Sequence, residues 1–151
     1  MLDWNLFDKS PSGYFNTPAC YPIYVTGLNI AHMIEKGGLR TYEKLAEDRS
    51  KMLYDMIENS NGFYTNSIDK KFRSTINVPF RINPLNEDPT TYTSLELQFL
   101  ERAADLGLLQ LKGHSSNPGI RVSMYNAMDV DGVEKLIELM KDFEAETSSP
   151  R

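Results

Sequence analysis

The sequence is poor in the residues from which covalent and metal cross-links are made: it has one cysteine, Cys20, and two histidines, His32 and His114. One cysteine excludes an intramolecular disulfide, and no Cys/His cluster has zinc spacing. The fold must therefore be held by its core, in what reads as a reducing, cytoplasmic compartment with no structural metal. Positive charge is also short. Lys plus Arg number 16 against 21 Asp plus Glu, a net charge of −5, the wrong sign for neutralising a phosphate backbone, so nucleic acid is not an expected partner. Long apolar runs are missing as well. The uncharged stretch 10–34 is interrupted by Pro11, Asn16, Pro18, Pro22, Thr26, Asn29 and His32, which does not suit a helix crossing a bilayer. With Asp3 near its start and no basic segment ahead of an apolar one, the N-terminus does not read as a signal peptide, and the chain reads as soluble. What is present is 151 residues, 40% of them hydrophobic, the size and composition of one ordinary folded domain.

Along the chain, residues 1–17 read as loop, with turn chemistry at Lys9, Ser10, Pro11, Ser12 and Gly13. Residues 18–36 read as a helix apolar on several sides (Ile23, Val25, Leu28, Ile30, Met33, Ile34), closed by Gly37 and Gly38 and expected to be buried. In residues 39–59, Tyr42, Leu45, Ala46, Arg49, Met52, Leu53, Met56 and Ile57 recur at the helical period, with Arg49 the only polar member of the stripe. Asn61 and Gly62 end it. Residues 63–65 make a short strand, and 74–82 alternate, with Ile76, Val78, Phe80 and Ile82 on one face. Pro79 lacks an amide donor, so that strand is expected at an edge or a bulge. A polar loop, 83–89, leads to a helix over 93–106 with Leu95, Phe99, Ala103 and Leu106 in line. Two strands, 108–111 and 120–125, are expected on either side of a loop. The last helix begins at Asp129 or Asp131 and carries Val133, Leu136, Ile137, Met140 and Phe143 or Glu144, with 147–151 frayed. The pattern predicts an α+β fold: a small antiparallel or mixed sheet with helices packed on one face.

Chemistry concentrates in the run Gly113, His114, Ser115, Ser116, Asn117, Pro118, Gly119, Ile120, Arg121. A glycine-bounded loop there would offer amides, an imidazole, hydroxyls and a guanidinium to one anion, and the arginine fork suits a carboxylate. The plainer alternative is a solvated loop. Asn16 and Thr17 at a helix start are a second candidate, for a phosphate, against the alternative of a simple helix cap. His32 and Cys20 read as packing residues, and Glu43, Glu47 and Asp48 as a solvated helix face.

Together, Asn16-Thr17-Pro18, Gly62-Phe63-Tyr64, Arg73-Ser74, Asn77 to Arg81, Leu111 to His114, Gly119-Ile120-Arg121 and Ser123 to Met128 resemble the C-terminal part of the phosphoserine aminotransferase family, class V aminotransferases of PLP fold type I. The resemblance runs from about Asn16 to Phe143. It implies a homodimeric, pyridoxal 5'-phosphate-dependent transaminase that moves an amino group from glutamate to 3-phosphohydroxypyruvate. On it, Arg121 binds the substrate carboxylate, His114 and Ser115 the substrate phosphate, and Asn16 and Thr17 the cofactor phosphate of the neighbouring subunit. The family usually has arginine where Ser115 stands, so one cation is missing, which suggests an altered substrate preference. The lysine that holds the cofactor as a Schiff base has no counterpart among the lysines here. The resemblance therefore implies a C-terminal portion, inactive alone, with 1–37 as loop and linker helix and 38–151 as the small domain. Its expected partners are the large domain and a second subunit. A different class of reading is a non-enzymatic module that pairs with a full-length aminotransferase subunit.

Overall fold

The structure, a computed structural model, describes residues 3–9, 11, 16–82, 90–114 and 117–148. The chain divides into two compact units, residues 1–41 and 42–151.

The first unit holds α1 (Trp4–Asp8), α2 (Cys20–Glu35) and the start of α3 (Gly38–Asn59). The helical turn α1 replaces part of the expected loop because the Asp3 carboxylate accepts the backbone N–H of Asn5 at 3.0 Å, a side-chain cap. Helix α2 ends where Gly37, at φ +106°, gives its N–H to the Ile34 carbonyl at 3.0 Å. The burial expected for α2 is not found: no residue of it is buried. Cys20 is exposed, as is His32. The apolar composition of the helix calls for a cover that the described residues do not supply.

The second unit is the α+β body. Its strands are β1 (Tyr64–Thr65), β2 (Asn77–Ile82), β3 (Lys112–His114) and β4 (Asn117–Ser123), joined by antiparallel pairs in the order β1-β2-β4-β3. The rest of α3, with α4 (Ser94–Asp105) and α5 (Val130–Ser148), packs on one face. There Leu53 and Ile57 of α3, Phe99 and Ala103 of α4, and Val133, Leu136 and Met140 of α5 meet Val78, Phe80, Ile82, Ile120 and Val122 of the sheet. Phe99 is the hub of the aromatic packing, edge-on to Phe143 at 5.3 Å and to Phe80 at 6.2 Å between ring centroids. Tyr64, buried beside them, gives its hydroxyl proton to the Met140 carbonyl at 2.8 Å. Arg49 is wholly buried. Its Nε reaches the Leu45 carbonyl, and its Nη1 the carbonyls of Tyr125 and Met128, tying α3 to the turn that follows β4.

Several boundaries differ from the periodicity. Residues 108–111 are not a strand. Leu108 N–H instead returns to the Ala103 carbonyl at 2.8 Å and Gly107 N–H to Ala104 at 3.0 Å, with Gly107 at φ +76°. This paired closure of α4 takes up Leu108 and leaves Leu106 exposed, and Gln110 at φ +62° breaks the extended run that alternation alone assigns to a strand. The strand β3 lies farther on, within the run read as loop, and β4 begins earlier than expected, at Asn117, and ends at Ser123, so that Arg121 stands in a strand as its position in 120–125 predicts. Pro79 is on an interior strand of the sheet. Its carbonyl accepts the Asn66 side-chain amide, so its imide nitrogen faces the same flank, past the end of the two-residue β1, where no ladder donor is needed. Ile76 precedes β2 and is exposed. Helix α5 keeps Thr147 and Ser148, whose expected fraying is not found. Residues 83–89, 115 and 116 fall outside the described residues, as do 12–15 and 149–151.

Candidate functional site

The predicted anion site is a β-hairpin. Lys112 pairs with Ile120 and His114 with Asn117, so two steps along β3 answer three along β4. One extra residue on β4 makes a bulge. Ile120 and Val122 face the core, whereas Arg121 and Ser123 are only half-buried on the opposite row. Lys112 stands opposite Ile120 and His114 opposite Asn117, so the hairpin carries His114 and Arg121 on adjacent strands.

Two glycines make this approach possible. A Cβ on Gly113 would lie 2.8 Å from the carbonyl oxygens of Asn117 and Gly119. A Cβ on Gly119, at φ +115°, would lie 2.6 Å from Arg81 Cδ and 2.9 Å from the Phe80 carbonyl oxygen.

Arg121 pairs across the ladder with Pro79, and its N–H is held by the Leu111 carbonyl at 2.8 Å. Its side chain is half-buried, and its Nε is enclosed with no hydrogen-bond partner among the described residues. An enclosed guanidinium N–H without an acceptor is costly and suits an anion supplied from outside the chain. His114, at the end of β3, is exposed. Nearby on the outer row, Ser123 Oγ donates to Asn77 Oδ1 at 2.9 Å. Ser115 lies outside the described residues.

Asn16 and Thr17 precede α2 in the first unit and are exposed. The alternative that they cap the helix does not hold, because its N-cap position is Ala19 and no side chain caps it. The Cys20 N–H goes to the Pro18 carbonyl at 2.8 Å and Pro22 has none, which uses up or removes first-turn donors. What this segment offers a phosphate is therefore its amide and hydroxyl side chains. They fit a cofactor phosphate in donor chemistry. Among the described residues no group of three His, Cys, Asp or Glu could hold a metal ion, and no helix is long and apolar enough to cross a membrane.

Sequence reading missed the buried pair beside the hairpin. Glu96, fully buried, takes Arg81 Nε at 2.6 Å, Arg81 Nη2 at 3.3 Å, the Ile82 N–H at 3.1 Å and the Thr93 N–H at 2.9 Å. The signal was present in the spacing of Thr93 and Glu96, which form a complete capping box on α4.

The model of the class-V aminotransferase family matches residues 2–136 of the chain. Phosphoserine aminotransferase 1, chloroplastic, of Arabidopsis thaliana is 43% identical over 145 residues, 96% of this chain and 32% of the relative. The phosphoserine aminotransferase of Drosophila melanogaster is 42% identical over 143 residues, 95% of this chain and 38% of its own length. Among solved structures, the phosphoserine aminotransferase of Bacillus circulans subsp. alkalophilus superposes with a TM-score of 0.80 at 28% identity, covering 96% of this chain and 42% of that one. The PLP-bound phosphoserine aminotransferase of Trichomonas vaginalis gives 0.76 at 32% identity, covering 86% and 35%. The chain spans about a third of the length of the curated relatives it matches. With its α+β body and the match over residues 2–136, the chain belongs to the class-V aminotransferase family.

Proposed function

We propose that the chain is the C-terminal portion of a cytoplasmic phosphoserine aminotransferase, with residues 1–37 as linker and 38–151 as small domain. The assembled enzyme transfers an amino group from glutamate to 3-phosphohydroxypyruvate, giving O-phosphoserine and 2-oxoglutarate in serine biosynthesis. The observation that supports this reading is the enclosed Nε of Arg121, without a hydrogen-bond partner among the described residues, in the strand that pairs with the one carrying His114. The guanidinium fork holds the substrate carboxylate, and the His114 imidazole donates to the substrate phosphate. Ser115 adds a neutral hydroxyl where the family has a cation. A neutral hydrogen bond is about half as strong as a charge-assisted one, so phosphate affinity is lower than the family's. Asn16 and Thr17 hold the phosphate of the cofactor in the neighbouring subunit of a homodimer. Pyridoxal 5'-phosphate, when bound, supplies the electron sink that makes the substrate α-proton removable. The lysine that would anchor it belongs to the large domain, so this chain alone turns nothing over.

The test is to sequence the transcript upstream of the Met1 codon and assay both products. An in-frame lysine motif, activity of the longer protein and silence of the 151-residue chain are expected. Turnover by the 151-residue chain alone overturns the reading. The exposed apolar side of α2 favours a second reading, a non-enzymatic module that pairs with a full-length aminotransferase subunit. A stop codon and promoter upstream, with capture of such a subunit in a pull-down, would put that reading first.

A further inference from the structure

The buried pair Arg81–Glu96 does more than a helix cap requires. Capping α4 needs only the exchange between Thr93 and Glu96. Glu96 nevertheless extends to strand β2, taking the Ile82 N–H and both Nε and Nη2 of Arg81. Burying an ion pair is weak evidence for stability, since desolvation offsets most of the attraction. What it can provide is a fixed geometry.

The geometry it fixes is that of the hairpin. Arg81 is held at its far end by Glu96 and by the Thr91 carbonyl at 2.8 Å, and its stem lies against Gly119 in the bulge. From the same segment, Tyr92 Oη donates to the Gly113 carbonyl at 3.3 Å on the other strand, and Lys112 Nζ sits 5.3 Å from the Tyr92 ring centroid. The start of α4 thus grips β4 at Gly119 and β3 at Gly113, the two glycines whose close approach forms the bulge.

We infer that Arg81 and Glu96 are positioning residues that set the separation of His114 from Arg121, and with it the span between the two anionic groups of the accepted oxo acid. The inference rests on the roles proposed above for His114 and Arg121. Substrates that engage both ends depend on the pair, and substrates that engage Arg121 alone do not. A general loss of stability would not distinguish the two.

The experiment uses the assembled aminotransferase, with its large domain on the same chain, and compares 3-phosphohydroxypyruvate with hydroxypyruvate, the same oxo acid without phosphate. Glu96→Gln should raise KM for the phosphorylated substrate about tenfold, the scale of a displaced binding group, with KM for hydroxypyruvate and kcat little changed. Arg81→Lys keeps the charge but loses the fork, and should shift the same ratio less. Equal changes for both substrates, or none, in the folded Arg81→Lys protein overturn the inference while the proposed function stands. Absence of turnover by the wild-type assembly overturns both.

Discussion

At the scale of single residues, the outer row of β4 is shaped by what Gly119 lacks. Gly119→Ala places a methyl 2.6 Å from Arg81 Cδ and 2.9 Å from a backbone oxygen, at φ +115°. The side chain of Arg81 is pinned and the strand cannot retreat, so a loss of roughly 2–3 kcal/mol is expected in denaturant unfolding of the chain. A cost within about 0.5 kcal/mol, the range of an ordinary surface change, would mean the hairpin is looser than described. Arg121 and His114 could be named as candidates from their residue types and order, since a fork and an imidazole suit anions wherever they stand. Glu96 could not be named so directly. A glutamate three residues after a threonine at a helix start reads as a cap, and only the fold shows that it also receives an arginine from β2.

At the scale of elements, the helical stripes were legible because burial follows the helical period: Arg49, Leu53 and Ile57 of α3 and Val133, Leu136 and Met140 of α5 are all buried. The β3–β4 hairpin was legible only in part: the strand over residues 120–123 was expected, whereas Lys112–His114 and residues 117–119 were not, because Gly, Asn and Pro resemble loop by composition and backbone pairing decides what they form. Helix α3 is tied to the short 3-10 turn Lys70–Phe72 and to Arg73 through Glu58, which lies 2.8 Å from Lys70 Nζ and 2.5 Å from Arg73 Nη1. Hydrogen bonds from Lys70 and then Arg73 hold the Glu58 carboxyl below its ordinary value. A carboxyl depressed in the folded state contributes stability above its unfolded pKa and loses it as pH falls through the folded value. Thermal stability should therefore drop between about pH 5 and pH 3, less steeply in Glu58→Gln and less steeply in high salt. An unchanged slope in Glu58→Gln would remove this group from the account.

For the molecule as a whole, the contrast between the units matters most. The second unit has a complete core, whereas α2 in the first leaves Tyr21, Ile23, Tyr24, Leu28, Ile30 and Ile34 exposed, Tyr21 at 78%. The apolar composition predicts a buried helix, whereas among the described residues none of α2 is buried. The isolated chain is expected to self-associate in sedimentation at micromolar concentration, and Ile23→Glu with Ile30→Glu to return it toward monomer. A wild-type chain that stays monomeric would argue that α2 tolerates water. The hairpin bulge imposes a different kind of constraint. Strand side chains alternate with a period of two, and three steps on β4 already answer two on β3. Gaining or losing one codon within β4 between Asn117 and Ile120 would change the register that sets Lys112 opposite Ile120 and His114 opposite Asn117. Variants that retune the anion site must therefore arise by replacement in place, with Gly113 and Gly119 kept as they are.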